Sequence, residues 1–403
     1  MPQRSLGSCD VLVIGGGLVG CAAAYYLSRA GAEVALIEQA DLNREASGRN
    51  AGSLHFQLEY RLIKYGDAQA AQFAQIIPLS LIAMEDWSGL EHELDTPMEV
   101  EMNGGLIVAQ TPADVAMLEN RQALQQRWGL PTELLSAAEV RRRAPYLVET
   151  VIAASFCGRE GHANPRLVAP AFARRAETAG ARIRCRTRVT ALQRDGSRWR
   201  ATVRRGDGSI EEIDARAVLD AAGAWAAEIA ALAHLHLPIY PVPLMMNVIE
   251  RTVPTIPHLV QHASRRLSLK QVGAGNVLVG GGWPGRFARV HSTMDTQQRA
   301  EPVLDNMVEN LALAVELVPA LARLHLLRTW TGITGVTADQ MPLLGEVPEA
   351  PGFFVAAGGA AFTHGPTYAR LISELICTGR ASTAIDLYSP ARFSHVNNFM
   401  ASI

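Results

Sequence analysis

The chain opens on a short apolar, β-branched run, Val11 to Ile14, which suits a strand buried on both faces of a parallel sheet. Glycine-rich positions 15–20 follow. Apolar residues then recur at helical spacing, Val19, Ala23, Tyr26, Leu27 and Ala30, until Gly31 stops the helix. Glu33 to Ile37 reads as a second strand, with Glu38 at its end. Residues 81–149 read as mostly helical with some strand. Thr111-Pro112 supplies an N-cap and a first-turn proline, Ser136 and Glu139 a capping box, and Asn164-Pro165 opens a helix running to about Ala179. Runs from Arg182 to Gln193, Trp199 to Arg204 and Ile210 to Leu219 are separated by Asp195-Gly196 and Asp207-Gly208, which predicts a three-stranded meander. Residues 238–290 read as longer strands with proline-rich links, and 295–323 as helical. The end returns to the opening pattern: a strand Phe353–Ala357, a glycine loop, and a helix from Pro366 that buries Tyr368, Leu371, Ile372, Leu375 and Ile376.

This order predicts an α/β fold, with a Rossmann-like nucleotide-binding domain built from discontinuous segments and an inserted α+β domain with a mostly antiparallel sheet. The first domain is expected over 1–80, 150–236 and 325–403. The inserted, substrate-binding domain is expected over 81–149 and 237–324. At 403 residues, 48% hydrophobic, the chain has enough apolar material for two cores. A net charge of −2 gives no support for nucleic-acid binding. The basic run Arg141 to Arg143 reads as a solvated helix face.

Five cysteines, Cys9, Cys21, Cys157, Cys185 and Cys377, are scattered without a Cys-x-x-Cys pair. That excludes a disulfide framework and leaves no visible zinc or iron–sulfur site, so no metal is expected. Val11 to Leu27 is interrupted by glycines and lacks an Ala-x-Ala cleavage pattern, so it is not a signal peptide. Residues 215–249 carry Asp220, Glu228, His234 and His236, which exclude a spanning helix. A cytoplasmic chain without a membrane span is expected.

Gly15-x-Gly17-x-x-Gly20 is the clearest chemical motif. Gly15 permits a tight turn, Gly17 lets a pyrophosphate approach the backbone, and Gly20 lets helix and sheet pack closely. The helix N-terminus offers free N–H groups and partial positive charge. Glu38 can accept both ribose hydroxyls. Three further stretches extend the pattern: Glu45 to Ser53, Ala217 to Trp225, and Gly358 to Pro366, with Asp339 to Gly345 before the last strand.

Together these stretches resemble the flavoprotein family of D-amino acid oxidase, glycine oxidase and sarcosine oxidase over nearly the whole chain. Ser47 to His55, Leu269-Lys270-Gln271 and Val277 to Pro284 look most like the β subunits of heteromeric opine (octopine or nopaline) and D-hydroxyproline dehydrogenases and of hydrogen cyanide synthase. The resemblance implies FAD, a further FMN at a subunit interface, a larger α subunit and a small iron–sulfur subunit. It implies FAD-dependent oxidation of the C–N bond of an amino acid or secondary amine. The competing readings are a self-sufficient oxidase releasing hydrogen peroxide and a noncatalytic FAD-carrying subunit.

The resemblance also implies site residues. Cofactor contacts fall to Gly15, Gly17, Leu18, Val19 and Gly20, to Glu38 and Gln39, and to Ser47, Gly48, Arg49, Asn50, Ala51, Gly52 and Ser53. Val189, Ala222, Gly223, Trp225 and Gly332 follow, then Gly359, Phe362, Thr363, His364 and Gly365. The last helix is expected to aim its N-terminus at the flavin, with Thr363 adding a hydroxyl. His55, Thr363 and Lys270 are the catalytic candidates. His55 ranks first because imidazole can accept a proton near neutral pH. Substrate contacts are expected from His55, Tyr60, Gln271, Trp283 and Arg286. Two departures stand out. No arginine for a substrate carboxylate lies in Thr331 to Thr337. No lysine lies in Val277 to Gly280 and no cysteine in residues 331–340, which implies slow reaction with oxygen and noncovalent FAD.

Overall fold

The structure, a computed structural model, describes residues 7–291 and 293–400. The outermost ends of the first and last expected segments, 1–6 and 401–403, lie outside the described residues. Two eight-stranded sheets organise the chain. In the first, the order is Leu343–Glu346, Phe353–Ala357, Ile210–Asp220, Ser8–Ile14, Val34–Ile37 and Arg182–Arg184. Ser8–Ile14 runs parallel to both neighbours, and Ile210–Asp220 runs parallel to Phe353–Ala357. Consecutive apolar residues at these positions follow from burial on both faces.

The crossover helix Leu18–Arg29 is buried almost all round, because the sheet lies on one side and the helices Pro165–Thr178 and Gly365–Thr378 pack on the other. Ala30, expected on its buried face, is instead the exposed C-cap, and Gly31 at φ +90° ends the helix as expected. Thr111 and Ser136 form capping boxes with Asp114 and Glu139, and Asn164 caps the helix from Pro165.

The second sheet has the order Leu326–Thr337, Ile239–Arg251, Asn276–Gly280, Ser268–Gln271, Leu259–His262, Gly105–Ala109, Ala153–Cys157 and Glu133–Ser136. It is antiparallel except where Leu259–His262 meets Gly105–Ala109. Alternation sorts its side chains. Leu106 and Val108 join Leu269, Val277 and Val279 under the helix Leu304–Leu317, while Ile107 and Ala109 meet Leu118 of the helix Pro112–Arg127 on the other face.

Three expectations shift. The run from Arg182 to Gln193 is two strands broken at Arg186, which takes φ +51°. Its first part, Arg182–Arg184, pairs parallel with Val34–Ile37, and only Thr187–Asp195 enters the meander with Arg198–Arg205 and Ile210–Asp220. Ala153–Cys157 and Leu326–Thr337, expected with the nucleotide-binding segments, pair into the second sheet. Leu326–Thr337 is exposed or half-buried over most of its length, which a doubly covered parallel sheet would not allow. The helical stretch expected from 295 begins at Leu304, after a short strand Thr293–Asp295.

Candidate active site

A cleft of about 410 Å³ opens at the carboxyl ends of the parallel strands. Its floor is the glycine loop. Gly15 has φ +114°, and a Cβ there would lie 2.5 Å from the Ala221 carbonyl oxygen. A Cβ on Gly20 would overlap the Gly15 carbonyl, so Gly20 locks loop to helix without lining the cleft. Gly17 faces the cleft, and a Cβ there would meet only the Ser47 hydroxyl, at 3.0 Å. The Leu18 N–H donates to Ser47 Oγ at 2.9 Å. Glu38 accepts the Gly16 N–H at Oε2 and the Ala40 N–H at Oε1, both at 2.7 Å. Two amides thus pin the carboxylate on the cleft wall, with lone pairs left for a diol.

Val19, Gln39, Val189, Ala222, Gly223 and Trp225 line the same cleft. Among the described residues the indole N–H of Trp225 has no partner, and Asp220, the last residue of the strand Ile210–Asp220, is fully buried with Oδ2 likewise unpaired. Burial holds the Asp220 carboxyl well above its usual range. Orphaned polar atoms around a cleft that also carries a phosphate-type loop fit a bound dinucleotide.

A second chamber, about 220 Å³, shares Ala46, Ser47, Thr334 and Ala361 with the first. Arg49, Asn50, Ala51, Ser53, His55, Gly332, Phe362 and Thr363 line it. Thr363 donates to the Ser53 carbonyl at 3.3 Å, just ahead of the helix Gly365–Thr378. Arg49 pairs with Glu45 at 3.1 Å. Burial lowers the guanidinium's pKa and raises the carboxyl's.

His55 is held at both ring nitrogens. Nδ1 lies 2.8 Å from Gln261 Nε2, and Nε2 lies 3.1 Å from Ser268 Oγ. With Gln261 donating, the proton sits on Nε2 and points at Ser268. Ser268 also lines the chamber. Beneath this pair, Glu160 accepts the backbone N–H groups of Phe56 and Gln57 at 2.6 and 2.8 Å and the Gln57 amide at 2.9 Å. Burial pushes the Glu160 carboxyl up to about 7 despite these donors.

Other expected contacts are placed differently. Lys270 does not reach the chamber. Among the described residues its side-chain nitrogen has no partner, and burial drives its pKa well below the usual lysine value; burial, with Lys270 adding to it, lowers that of His162. Gln271 points away, bonding the backbone of Thr252, Val253, Thr255 and Ile256. Trp283 donates its indole N–H to Arg266, and Arg286 bridges Glu301 through its backbone. Tyr60 starts a short helix outside the chamber wall. Gly48 and Gly52 are close-approach glycines whose Cβ atoms would overlap the Asn43 and Ala163 carbonyls. Gly359, at φ +38°, packs on Pro342, and Gly365 packs on Leu18. His364 turns inward, 2.9 Å from Ser80 and stacked on Tyr368, and burial lowers its pKa to about 4. Packing explains these positions.

Gly16, Glu59, Met245, Gln261, Ser268 and Thr334 were missed as site residues. Ser268 was within reach, since it shares a strand face with Lys270. Among the described residues no helix is long and apolar enough to cross a membrane, and no cluster of three His, Cys, Asp or Glu side chains could hold a metal ion. The five cysteines form no disulfide.

Comparison with known proteins fits this geometry. Glycine oxidase of Geobacillus kaustophilus is 28% identical over 388 residues, covering 94% of this chain and 95% of the relative. The sarcosine oxidase beta subunit of Arthrobacter sp. is 29% identical, covering 90% and 87%. A subunit of the opine oxidase of Rhizobium meliloti is 24% identical, covering 95% and 97%. Among solved structures, the G. kaustophilus glycine oxidase superposes with a TM-score of 0.82 at 25% identity, covering 96% of this chain and 99% of the other. L-proline dehydrogenase from P. horikoshii superposes at 0.81 and 25%, covering 98% and 99%. The model of the DAO family, FAD dependent oxidoreductase, matches residues 10–375, and the chain belongs to that family of FAD-dependent enzymes.

Proposed function

We propose that this enzyme oxidises the C–N bond of an amino acid or secondary amine, as the FAD-bearing β-type subunit of a heteromeric dehydrogenase. The observation that carries the reading is the continuity of the two cavities through Ser47, Thr334 and Ala361. One long ligand can lie with its ribose at Glu38 and its other end in the chamber of His55.

Gly17 and the Ser47 hydroxyl, which the Leu18 N–H orients, would face the pyrophosphate, and Glu38 would hold the ribose. When bound, FAD supplies the hydride acceptor for the carbon next to nitrogen. The amine must be neutral for its lone pair to form the C=N bond. The ammonium proton leaves to solvent, and Ser268, its oxygen oriented by the His55 Nε2 proton, accepts a hydrogen bond from an N–H of the neutral amine and so positions it. Gln261 keeps the ring in place. The helix Gly365–Thr378 directs the positive end of its dipole toward Thr363, which favours negative charge arriving at that side of the chamber. The imine then hydrolyses to a carbonyl compound.

The heteromeric reading rests on two relatives, the sarcosine and opine oxidase chains, that are named as subunits of larger enzymes. It gains from the edge strand of the second sheet, where Leu326 and Leu327 are exposed, and from Leu304 and Val308, exposed on the helix whose Met307 meets Thr329 of that strand. A larger α subunit and an iron–sulfur subunit would take the electrons, and an interfacial FMN belongs to the same reading. The test is an anaerobic screen of opines, D-amino acids, proline derivatives and glycine against the purified protein. Bleaching of the flavin by one class supports the reading, and a flavin indifferent to all of them contradicts it.

A further inference from the structure

His55 and Glu59, two polar side chains of the chamber, sit at the ends of a stretch that is neither helix nor strand. Phe56, Gln57 and Leu58 between them are buried. A buried irregular stretch must find partners for its backbone outside any ladder. Here the ladder stops just short of it. Ser53 and Leu54 pair antiparallel with His162 and Gly161, so Glu160 stands where the next partner, that of His55, would be. Its fully buried side chain takes over from the backbone. Oε1 accepts the Phe56 and Gln57 N–H groups, and Oε2 accepts the Gln57 side-chain amide. That amide also donates to the Gly105 carbonyl at 3.3 Å, and its oxygen accepts the Ser155 hydroxyl at 2.7 Å. Gly105 leaves the room for this, since a Cβ there would lie 2.0 Å from Glu160 Oε2. The Leu58 N–H goes to Gln125 Oε1 at 2.8 Å. Three consecutive amides are thus held by side chains that line neither of the two cavities.

We propose that Glu160 is a positioning residue for the chamber, whose carboxylate clamps residues 56 and 57 and so sets where His55 meets Ser268 and where Glu59 faces the substrate. This rests on the amine-oxidising reading, in which Ser268, oriented by His55, receives the amine. The clamp depends on charge. The Gln57 amide offers hydrogens to the Gly105 carbonyl and to Oε2 alike, so Oε2 must be an acceptor. An ionised carboxylate has that acceptor, and letting go of its three donors would leave a buried charge unpaired. A protonated carboxyl accepts more weakly, and its hydrogen faces a donor at either oxygen. The group changes state near neutrality, at about 7: burial raises it, the bonds from Gln57 and Phe56 oppose that, and the Glu59 charge adds to it. From the strand Ala153–Cys157 the Cys157 thiol also senses Glu160, and burial pushes it up to about 12, so it stays neutral. Arg159, adjacent in the chain, pairs with Glu85, and the strand Gly105–Ala109 brings no ionisable side chain.

Glu160→Gln fixes the neutral form in nearly the same shape, so folding tolerates it. Purified, flavin-loaded wild type and variant are compared at pH 5.5 and 8.0 and at steps between. Amide hydrogen exchange of the peptide spanning Phe56 and Gln57, followed by mass spectrometry, reports the clamp without turnover. The two proteins should exchange alike at the lower pH, and the variant about tenfold faster at the higher. The second readout is kcat/KM for an amine that bleaches the flavin. The wild-type to variant ratio should be near one at low pH and climb through about 7 to about tenfold, and the substrate's own ionisation cancels in that ratio. A ratio flat with pH overturns the proposal. So does unchanged exchange at both pH values, or altered stability with unchanged kcat/KM, which marks a purely structural carboxylate. Exchange that quickens only at the higher pH, in a protein whose flavin no amine reduces, supports the clamp and overturns the reaction assigned above.

Discussion

Replacing Glu160 by Gln should change how stability depends on pH, and the size can be worked from its surroundings. The carboxyl is fully buried, with a folded-state pKa of about 7 against an ordinary 4.5. Between those values the native state binds a proton that the unfolded chain releases. Stability from this group is therefore fully present below 4.5 and is lost as pH rises to about 7. A shift from 4.5 to 7 corresponds to about 3 kcal/mol. Gln mimics the protonated form in shape and charge, and its oxygen can still accept the Phe56 and Gln57 amides. His162, His262 and His364 have folded pKa values lowered to about 3, 4 and 4. They work in the opposite direction, with stability gained as pH rises toward 6.5, but they are common to both proteins and cancel in the difference. Urea unfolding of wild type and Glu160→Gln at pH 5.0 and 8.0 should show the mutant gaining on wild type by about 2–3 kcal/mol at the higher pH. Parallel pH curves, or a mutant that loses ground as pH rises, would refute the reasoning. The test reaches the active site, because Glu160 holds the backbone next to His55.

Glu38→Ala removes two charge-assisted bonds to Gly16 and Ala40 together with the ribose acceptor, and should weaken FAD binding by about a hundredfold; full occupancy after extended dialysis would sink that assignment. Gly20→Ala drives a methyl group into the Gly15 carbonyl and should yield insoluble or colourless protein, and a stable yellow variant would contradict the loop packing. Acid precipitation should release FAD into the supernatant, since no cysteine lies in residues 331–340; colour retained in the pellet would mean a covalent link elsewhere. With its amine substrate, the isolated chain should reduce an acceptor dye faster than it makes peroxide, because Lys270 is buried away from the chamber; equal rates would favour the oxidase reading.

The parts of the fold set by local pattern could be read before the structure. The glycine loop, Glu38, the capping box at Ser136, the N-cap at Thr111 and the strand Phe353–Ala357 all fell where spacing and cap chemistry put them. What pairing decides was less legible. A single turn at Arg186 splits one apparent strand between two positions in the sheet, and nothing local tells Leu326–Thr337 which sheet it will join. In the site, backbone-lining residues such as Gly17, Ser47 and Thr363 could be found because their chemistry lies in the motif. Gln271, Trp283 and His364 misled because a polar or aromatic side chain on a strand or at a helix start serves packing as readily as binding. Gln261 and Ser268 sit on paired strands 206 and 213 residues beyond His55, and only the fold that brings them to its ring gives them meaning.

The most direct test of the account is a single anaerobic turnover. The purified, flavin-loaded chain is mixed with one equivalent of the amine that bleaches it in the screen, and the carbonyl product is trapped and counted. The account predicts one carbonyl formed per flavin bleached, with recovery of the yellow colour when an acceptor dye is added. Bleaching without a carbonyl product, or a flavin that stays oxidised with every carboxylate-bearing amine, would contradict it.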